Sequence, residues 1–327
     1  MLKILMSLPC LMLLLVQAST PKEDQPLIGV KIYTHDGPYD QLFRRWNQMG
    51  INTGFCSEEL ISDPDFMREA AEHQITTYAI FPVFFDPDEI ARFPHLAAIK
   101  QDGEVAAEEW VEFVCPSRED YRQQVIAHAR QLVRDHQPDG ISIDFIRHFV
   151  YWEKVYPDRY PATLPMSCFD SLCLEHFQIE SGTSMVDAIA GAARQEKPDI
   201  LVNVHLVPWT EEDFNGAIRH VAGQDLPALA GLSDYLSPMT YAHMLKRPPG
   251  WVHDIVEDFH RQTAAAILPS IQVGQAYLDT PYDTEECRQM LEAALAPPSA
   301  GVVLWSWEHL MAEPEKAELF KDMSPAR

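Results

Sequence analysis

The sequence is poor in positive charge. It holds 25 lysine and arginine residues against 49 aspartate and glutamate residues, so its formal net charge is -24. Binding to nucleic acid or to an anionic membrane surface depends on basic patches. The charge balance therefore argues against both kinds of partner, and it makes a strongly anionic polymer an awkward substrate. A neutral or weakly charged ligand is the simpler expectation.

Several other sequence signals are absent. No Gly-rich phosphate-binding loop follows the first predicted strand, which argues against a doubly wound nucleotide-binding sheet. No internal repeat, low-complexity stretch or linker divides the chain. After the N-terminal segment, no apolar run is long enough to span a membrane. These absences favour a single domain.

The N-terminal segment has the layout of a secretory signal. The stretch MLKILMSLPCLMLLLVQAST holds one early lysine, an apolar run and then small residues. The apolar run is shorter than the roughly 18–20 residues of a membrane-spanning helix. We predict a signal peptide over residues 1–18 and a mature domain over residues 19–327. The protein would then be secreted or periplasmic, with no membrane insertion after cleavage.

The mature chain keeps few cysteines, namely Cys56, Cys115, Cys168, Cys173 and Cys287. Five is an odd number, so at least one thiol is free or pairs between chains. No histidine accompanies Cys168 and Cys173 at the spacing of a zinc site. We therefore expect core cysteines with one disulfide at most, no metal cluster and no cofactor.

Apolar and amphipathic segments alternate along the whole chain. Strands are predicted at 27–34, 51–57, 75–85, 139–149, 200–207, 234–241, 266–274 and 301–308. Helices fill most intervals, among them a long one over 117–136 with Ser117 as its N-cap and two near 168–181 and 183–195. Eight strand–helix units over about 300 residues are typical of one architecture. We predict an α/β protein with a single (β/α)8 TIM-barrel domain.

Active sites of TIM barrels lie where the strands end and the βα loops begin. Polar and aromatic residues follow most of the predicted strands: His35, Asp36, Glu58, Glu59, Asp86, Asp144, Arg147, His148, Glu153, His205, Trp209, Tyr241, His243, Gln272, Gln275, Trp305, Trp307 and Glu308. Aromatic faces stack on sugar rings, while carboxylates and amides bind hydroxyl groups. This set predicts a carbohydrate site.

Glycoside hydrolysis needs two carboxyl groups that flank the scissile bond. Asp144 is the predicted nucleophile or base, because the fourth strand directs it into the mouth of the barrel. Arg147 or a neighbour would hold it ionised. The structural alternative is that Asp144 and Arg147 form an ion pair that only stabilises the rim of the barrel.

The predicted general acid is Glu308, provided that the apolar surroundings of Trp305 and Trp307 raise its pKa. Glu58 and Glu153 are the alternatives for this role. The predicted substrate-binding residues are Arg147, His205, Tyr241, Trp305, Trp307 and Glu58. His205 and Tyr241 fit the core of the protein equally well.

Four segments resemble the motifs of a glycoside-hydrolase-like (β/α)8 barrel family of bacteria. DGISIDFIR resembles its DGI-x-x-D-[YF]-IR strand, and DYLSPMTYAHM its SPM-x-Y motif. GVVLWSWE is similar to its G-[VW]-x-LW motif, and FVCPSREDYRQQV to its W-x-CP/NP…YR segment. The four matches follow in order over most of the mature chain. The resemblance implies a barrel that acts on sugar polymers, with Asp144 as the catalytic position.

A more distant resemblance connects the fourth strand with family 18 chitinases, which carry DG-x-D-x-D-x-E there. Asp139 and Asp144 match that pattern, but Ser142 replaces its middle aspartate and Ile146 its catalytic glutamate. An isoleucine cannot protonate a leaving group. Chitinase-type cleavage is therefore not expected, and a second carboxylate must come from another strand.

Taken together, these features predict an exported glycoside hydrolase for a neutral or weakly charged glycan. The alternative is a non-catalytic glycan-binding barrel, which the missing glutamate favours. A metal-dependent hydrolase using His35, Asp36 and His205 is a third possibility, which no metal-binding spacing supports.

Overall fold

The computed structural model describes residues 26–157, 168–171, 173 and 178–323. The predicted signal peptide lies outside the described residues, as do residues 172 and 174–177 of the helix expected near 168–181. The described chain forms an α/β fold in which a curled parallel sheet is surrounded by helices. Among these residues no helix is long and apolar enough to cross a membrane.

The sheet has nine strands, and every neighbouring pair in it is parallel. Its strands are β1 (Leu27–Ile32), β2 (Thr53–Cys56), β3 (Thr76–Pro82), β6 (Gly140–Asp144), β7 (Leu201–Leu206), β8 (Tyr235–Pro238), β9 (Ala266–Ile267), β10 (Ser270–Gln272) and β11 (Gly301–Trp305). Their order across the sheet is β10-β11-β1-β2-β3-β6-β7-β8-β9. A separate antiparallel hairpin consists of β4 (Ala107–Glu108) and β5 (Val111–Glu112).

The α-helices are Tyr39–Gln48, Glu58–Ile61, Pro64–Glu72, Pro87–Arg92, Glu119–His136, Gln178–Glu196, Ala217–His220, Leu226–Ala230, Trp251–Thr263, Thr284–Leu295, Trp307–Ala312 and Pro314–Met323. Most follow the predicted intervals. The helix expected from 117 begins at Glu119, and its N-cap position is Arg118. Ser117 is not the cap, because its hydroxyl lies against the thiol of Cys173 at 3.2 Å.

The prediction of eight regular strands needs one correction. The expected seventh strand, 266–274, is divided into β9 and β10 on either side of Leu268 and Pro269. Proline has no backbone N–H to donate to a sheet. As a result β9 pairs with β8, whereas β10 pairs with β11. The structure therefore shows a curled nine-stranded sheet.

Apolar side chains form a layer on each face of the sheet, because successive residues of a strand face opposite sides. A small cluster of Phe55, Tyr78, Ile80, Leu268 and Val303 forms one layer. Residues such as Val30, Ile141, Ile143 and Val204 belong to the large core cluster that includes the helices. The small cluster needs a glycine at 140, where an added Cβ would lie 2.3 Å from the Tyr78 ring.

Two long connections follow the adjacent strands β3 and β6. The first includes the β4–β5 hairpin, and the second passes through the short 3-10 helix Trp152–Lys154. Phe85 and Phe145, which begin these connections, stack on each other with ring centroids 4.8 Å apart. The two connections are thereby packed together beside the ends of their strands.

Candidate active site

A pocket of about 120 Å³ opens at the carboxyl ends of the strands. It contains two carboxylates, two cationic groups and several aromatic rings. The lining residues are Lys31, Tyr33, Trp110, Asp144, Phe145, Arg147, Trp152, Glu153, Met239, Tyr241, Met244, Tyr277 and Trp305. A space of this size accommodates several water-sized groups. It is therefore comparable in size with one sugar ring and not with a long polysaccharide segment.

Asp144, the last residue of β6, is buried and forms an ion pair with a lysine. Its Oδ2 lies 3.1 Å from Nζ of Lys31, and its Oδ1 accepts a hydrogen bond from the Phe145 N–H at 2.8 Å. Burial alone would raise the pKa of Asp144. The Lys31 ammonium, the His205 imidazole and the Phe145 N–H outweigh burial and lower the pKa to about 2. Asp144 is therefore a carboxylate near neutral pH.

Lys31 reaches Asp144 from β1, which is three strands away in the order of the sheet. Neighbouring strands are about 4.8 Å apart, so in a flat sheet the two strands would be separated by roughly 14 Å. The curl of the sheet brings the two side chains together. Burial lowers the pKa of the lysine, but the charge of Asp144, the nearby Tyr33 and the hydrogen bond with Asp144 together outweigh burial, and the net shift is upward.

The residue after Asp144 has an uncommon backbone conformation. Phe145 has a φ of 53°, in the left-handed region, although it carries an aromatic side chain. Such backbone strain costs roughly 1–3 kcal/mol and is concentrated at functional sites. Here this conformation accompanies the hydrogen bond between the Phe145 N–H and the Asp144 carboxylate.

Glu153 supplies the second carboxyl group of the pocket. It lies on the 3-10 helix Trp152–Lys154 and is 6% exposed. Its Oε1 is 3.6 Å from Nη2 of Arg147, and its Oε2 has no hydrogen-bond partner among the described residues. Burial raises the pKa of Glu153, and despite the opposing charge of Arg147 the result is about 7.

Arg147 is held by the loop rather than by Asp144. Its Nη1 donates to the carbonyl of Val150 at 2.5 Å, and its guanidinium lies over the ring of Phe113 at 4.6 Å. Burial lowers the pKa of Arg147. Its paired carboxylate is Glu153, while Lys31 takes the role that the sequence suggested for Arg147 or a neighbour.

Aromatic rings form the walls of the pocket. Tyr241 and Trp305 stack with centroids 4.7 Å apart, and Trp152 lies 5.9 Å from Tyr241. Two further rings, Trp110 on the hairpin and Tyr277 on a loop, are about two-fifths exposed at the rim. Exposed aromatic faces next to buried carboxylates suit a ligand that has both an apolar face and hydroxyl groups.

His205 lies on β7, next to the strand of Asp144, but it is not a lining residue. Its side chain is buried, and burial together with the charge of Lys31 lowers its pKa to about 3. The imidazole is therefore neutral. A buried neutral ring beside the Lys31–Asp144 pair is a supporting element of the site floor.

Besides His205, three residues predicted as catalytic or substrate-binding lie outside the set that lines the pocket. Glu308 accepts hydrogen bonds from the backbone N–H groups of Tyr33 and Thr34, at 2.7 and 3.1 Å. Trp307 is buried with its ring 5.8 Å from that of Trp46. Glu58 pairs with His128 at 2.9 Å. The structure brings Asp144, Arg147, Tyr241, Trp305 and Glu153 together, but not these three.

Possible metal ligands converge at two other places in the described residues. Cys115, Cys168 and Cys173 form one group, and Asp40, Glu69 and His73 form the other. Neither group contributes to the pocket lining, and neither contains His35, Asp36 or His205.

Lys31 is the most important residue that the sequence reasoning missed. It interrupts the apolar run LIGVKI of β1 in the same way that Asp144 interrupts its own strand. A lone buried charge is costly and calls for a partner. The same rule that identified Asp144 would therefore have identified Lys31. Trp110 and Tyr277 lie on connections, where no strand pattern marks them.

The fold is shared with solved structures of glycoside hydrolases at low sequence identity. The glycoside hydrolase domain of PgaB (BpsB) from Bordetella bronchiseptica matches with a TM-score of 0.67 and 13% identity, covering 93% of this chain and 100% of that one. The glycoside hydrolase domain of PelA from Pseudomonas aeruginosa matches with a TM-score of 0.51 and 14% identity, covering 86% and 95%.

A third match is the spore cortex-lytic enzyme SleL from Bacillus megaterium QM B1551, with a TM-score of 0.57 and 12% identity, covering 93% and 75%. No known sequence family matches the chain, and no curated protein matches it either. At these identities the comparisons show that the chain has a glycoside-hydrolase-like fold.

Proposed function

We propose that the protein is a glycoside hydrolase that uses Asp144 and Glu153. The observation that carries this proposal is the opposite ionisation of two carboxyl groups in one pocket. The pKa of Asp144 is lowered to about 2 and that of Glu153 is raised to about 7. One carboxylate and one carboxylic acid near neutral pH are what glycoside hydrolysis requires.

In this reaction Glu153 donates its proton to the oxygen of the leaving sugar. Asp144 begins as the anion and acts on the opposite side of the bond. It is either a nucleophile that forms a glycosyl ester, which water then hydrolyses, or the base that takes a proton from the attacking water. Lys31 keeps Asp144 ionised before the reaction, and Arg147 orients the Glu153 carboxyl through its 3.6 Å contact. The protons and charges of the step are thus assigned to four residues of the pocket.

The proposed substrate is a neutral or weakly charged glycan. The rings of Tyr241, Trp305, Trp110 and Tyr277 offer faces for sugar rings. The net charge of -24 disfavours a strongly anionic polymer. The similar structures are two glycoside hydrolase domains and a spore cortex-lytic enzyme, which agrees with this class.

Two further points belong to the same proposal. The N-terminal segment 1–18 would export the protein, which would place it beside extracellular or periplasmic glycans. The sheet would function as a closed barrel, because β9 and β10 are separated by only two residues and an isolated bridge joins Met239 of the β8 connection to Ser270 of β10.

The test is turnover of a panel of aryl glycosides and polysaccharides by the purified chain and by Glu153→Gln and Glu308→Gln. We expect Glu153→Gln to reduce kcat by about 10²–10⁴-fold, because a general acid contributes that much. Glu308→Gln should keep most of the activity and lose stability, because its carboxylate holds two backbone N–H groups. The reverse result would restore Glu308 as the acid, as first predicted from the sequence.

A glycan-binding protein without catalysis is the second candidate. The buried Lys31–Asp144 pair favours it, since an ammonium at 3.1 Å reduces the nucleophilicity of a carboxylate. On this alternative no glycoside is turned over, and Asp144→Asn and Glu153→Gln bind oligosaccharides as the natural chain does. Isothermal titration calorimetry on the panel that was tested for turnover separates the two candidates.

A further inference from the structure

Three of the five cysteines in the described part of the chain converge on one point. The Sγ atoms of Cys115, Cys168 and Cys173 all lie within 4.8 Å of one another, and all three residues are buried. The Cys115 and Cys173 sulfurs are 3.2 Å apart. By contrast, Cys56 and Cys287 are buried elsewhere and belong to no such group.

A hydroxyl group borders the three sulfurs. The Ser117 oxygen lies 3.2 Å from the Cys173 sulfur. The deprotonated sulfur of cysteine is a preferred ligand of soft metal ions.

We propose that Cys115, Cys168 and Cys173 bind one zinc ion. A single disulfide would use two of the sulfurs and leave the third thiol buried beside it, whereas one ion uses all three. Zinc binds thiolate sulfur and takes four ligands in structural sites. The fourth position is left to the Ser117 hydroxyl or to water. Each thiol gives up its proton to solvent when the ion binds.

The proposed ion has a structural role, because three chain segments meet at the cluster. Phe169 donates its N–H to the carbonyl of Ile99 at 2.8 Å, and Ala97 forms a bridge with Val114. Cys115 belongs to the long connection after β3, while Cys168 and Cys173 belong to the connection after β6. The ion would join the two connections that carry Trp110 and Glu153.

This inference replaces the expectation of no metal cluster that followed from spacing alone. The sequence offers Cys-x4-Cys without a nearby histidine, and the third ligand comes from a residue more than 50 positions earlier. The inference is independent of the glycosidase proposal, since none of the three cysteines lines the pocket.

The first measurement is the metal content of the full chain, purified without chelator, by plasma mass spectrometry. We expect about one zinc ion per chain. Thiol titration in denaturant with a chelator and without reductant should find every cysteine free. The variants Cys115→Ser, Cys168→Ser and Cys173→Ser should each lose the ion, and Cys287→Ser, a buried cysteine outside the cluster, should keep it.

A second measurement does not depend on the folding of a variant. Chelation of the natural chain should lower its melting temperature, and Zn²⁺ but not Mg²⁺ should restore it. Replacement by Co²⁺ should give the near-ultraviolet absorption of sulfur–cobalt bonds. Zinc-free protein in which two thiols are missing would overturn the proposal in favour of a disulfide. Zinc-free protein with all thiols present would overturn it in favour of plain core cysteines.

Discussion

The strand β6 has an aspartate at each end, and the two make an instructive comparison. Asp139 precedes the strand, and its side chain is 52% exposed with Oδ1 3.7 Å from Nζ of Lys197. Asp144 ends the strand, and its side chain is 9% exposed with Oδ2 3.1 Å from Nζ of Lys31. Both residues are aspartates and both are paired with a lysine. They differ in how far their side chains are exposed to water.

The difference lies in what each carboxylate holds. Asp139 accepts hydrogen bonds from the N–H and the hydroxyl of Thr77, at 2.8 and 3.2 Å, and so joins β6 to β3. Its pair with Lys197 is partly in water, where such pairs contribute about 0–1 kcal/mol. Asp144 is largely shielded from bulk water, and the Lys31 ammonium keeps it ionised in spite of burial. The aspartate before the strand stabilises the sheet through hydrogen bonds, whereas the aspartate at its end is a buried, ionised carboxylate.

The largest effect should distinguish the two aspartates. We expect Asp144→Asn to reduce kcat by roughly 10⁴-fold or more, in the range seen when a nucleophile or its partner is removed. Asp139→Asn should leave kcat within about tenfold and cost on the order of 1 kcal/mol of stability, the contribution of a hydrogen bond. Steady-state kinetics and urea unfolding measure both. Equal losses of activity in folded variants would contradict a site at the carboxyl end.

The two lysines provide the next test. Lys31→Met leaves a buried carboxylate without its partner, so we expect a loss of about 3–5 kcal/mol in the free energy of unfolding. Lys197→Met removes a partly buried ammonium that also donates to the carbonyls of Gln137 and Pro138, so it should cost about 1–2 kcal/mol, less than the loss of Lys31. Chemical unfolding of both variants at neutral pH gives the comparison. If Lys31→Met lowers the free energy of unfolding less than Lys197→Met does, then Lys31 does not stabilise the ionised form of Asp144.

The pH dependence should sharpen the contrast between Asp144 and Glu153. The acid form of Glu153, with a pKa raised to about 7, is present below that pH and lost above it. We therefore expect kcat/KM to fall about tenfold per pH unit above pH 7. The same shift adds stability that is complete below the ordinary glutamate pKa and lost as pH rises through about 7.

Glu153→Gln is the control for both effects. The variant cannot ionise at this position, so its residual kcat/KM and its stability should no longer carry the alkaline limb near pH 7. An unchanged limb in the variant would assign the titration to another group.

The smallest effect is expected at the rim. Tyr277→Ala should raise KM for an oligosaccharide roughly 2–10-fold, because an aromatic contact contributes about 0.5–1.5 kcal/mol. Phe93→Ala is the matched control, since Phe93 is equally exposed and lies outside the pocket lining. Equal changes in KM for the two variants would remove Tyr277 from the substrate path.

Much of this contrast could be predicted from the sequence, because it follows from strand periodicity. The pattern of β6 gave the direction of Asp144, and alternation of apolar runs predicted most of the strands. The division of the seventh strand depends on Pro269, whose missing N–H was not weighed. The choice of Glu153 over Glu308 could not be made, since it depends on how a long connection folds over the strand ends. The partner of Asp144 lies 113 residues away in sequence.

The pairing of the first and last strands has a consequence for the order of folding. β1 is hydrogen-bonded to β11, and the Tyr33 N–H reaches a carboxylate 275 residues later in the chain. At about 5–20 residues per second, synthesis needs roughly 15–55 s to cover that interval. Until then the strand that carries Lys31 has a neighbour on one side only. The pocket is therefore complete only after β11 has been synthesised, and until then Asp144 lacks part of the frame that buries it.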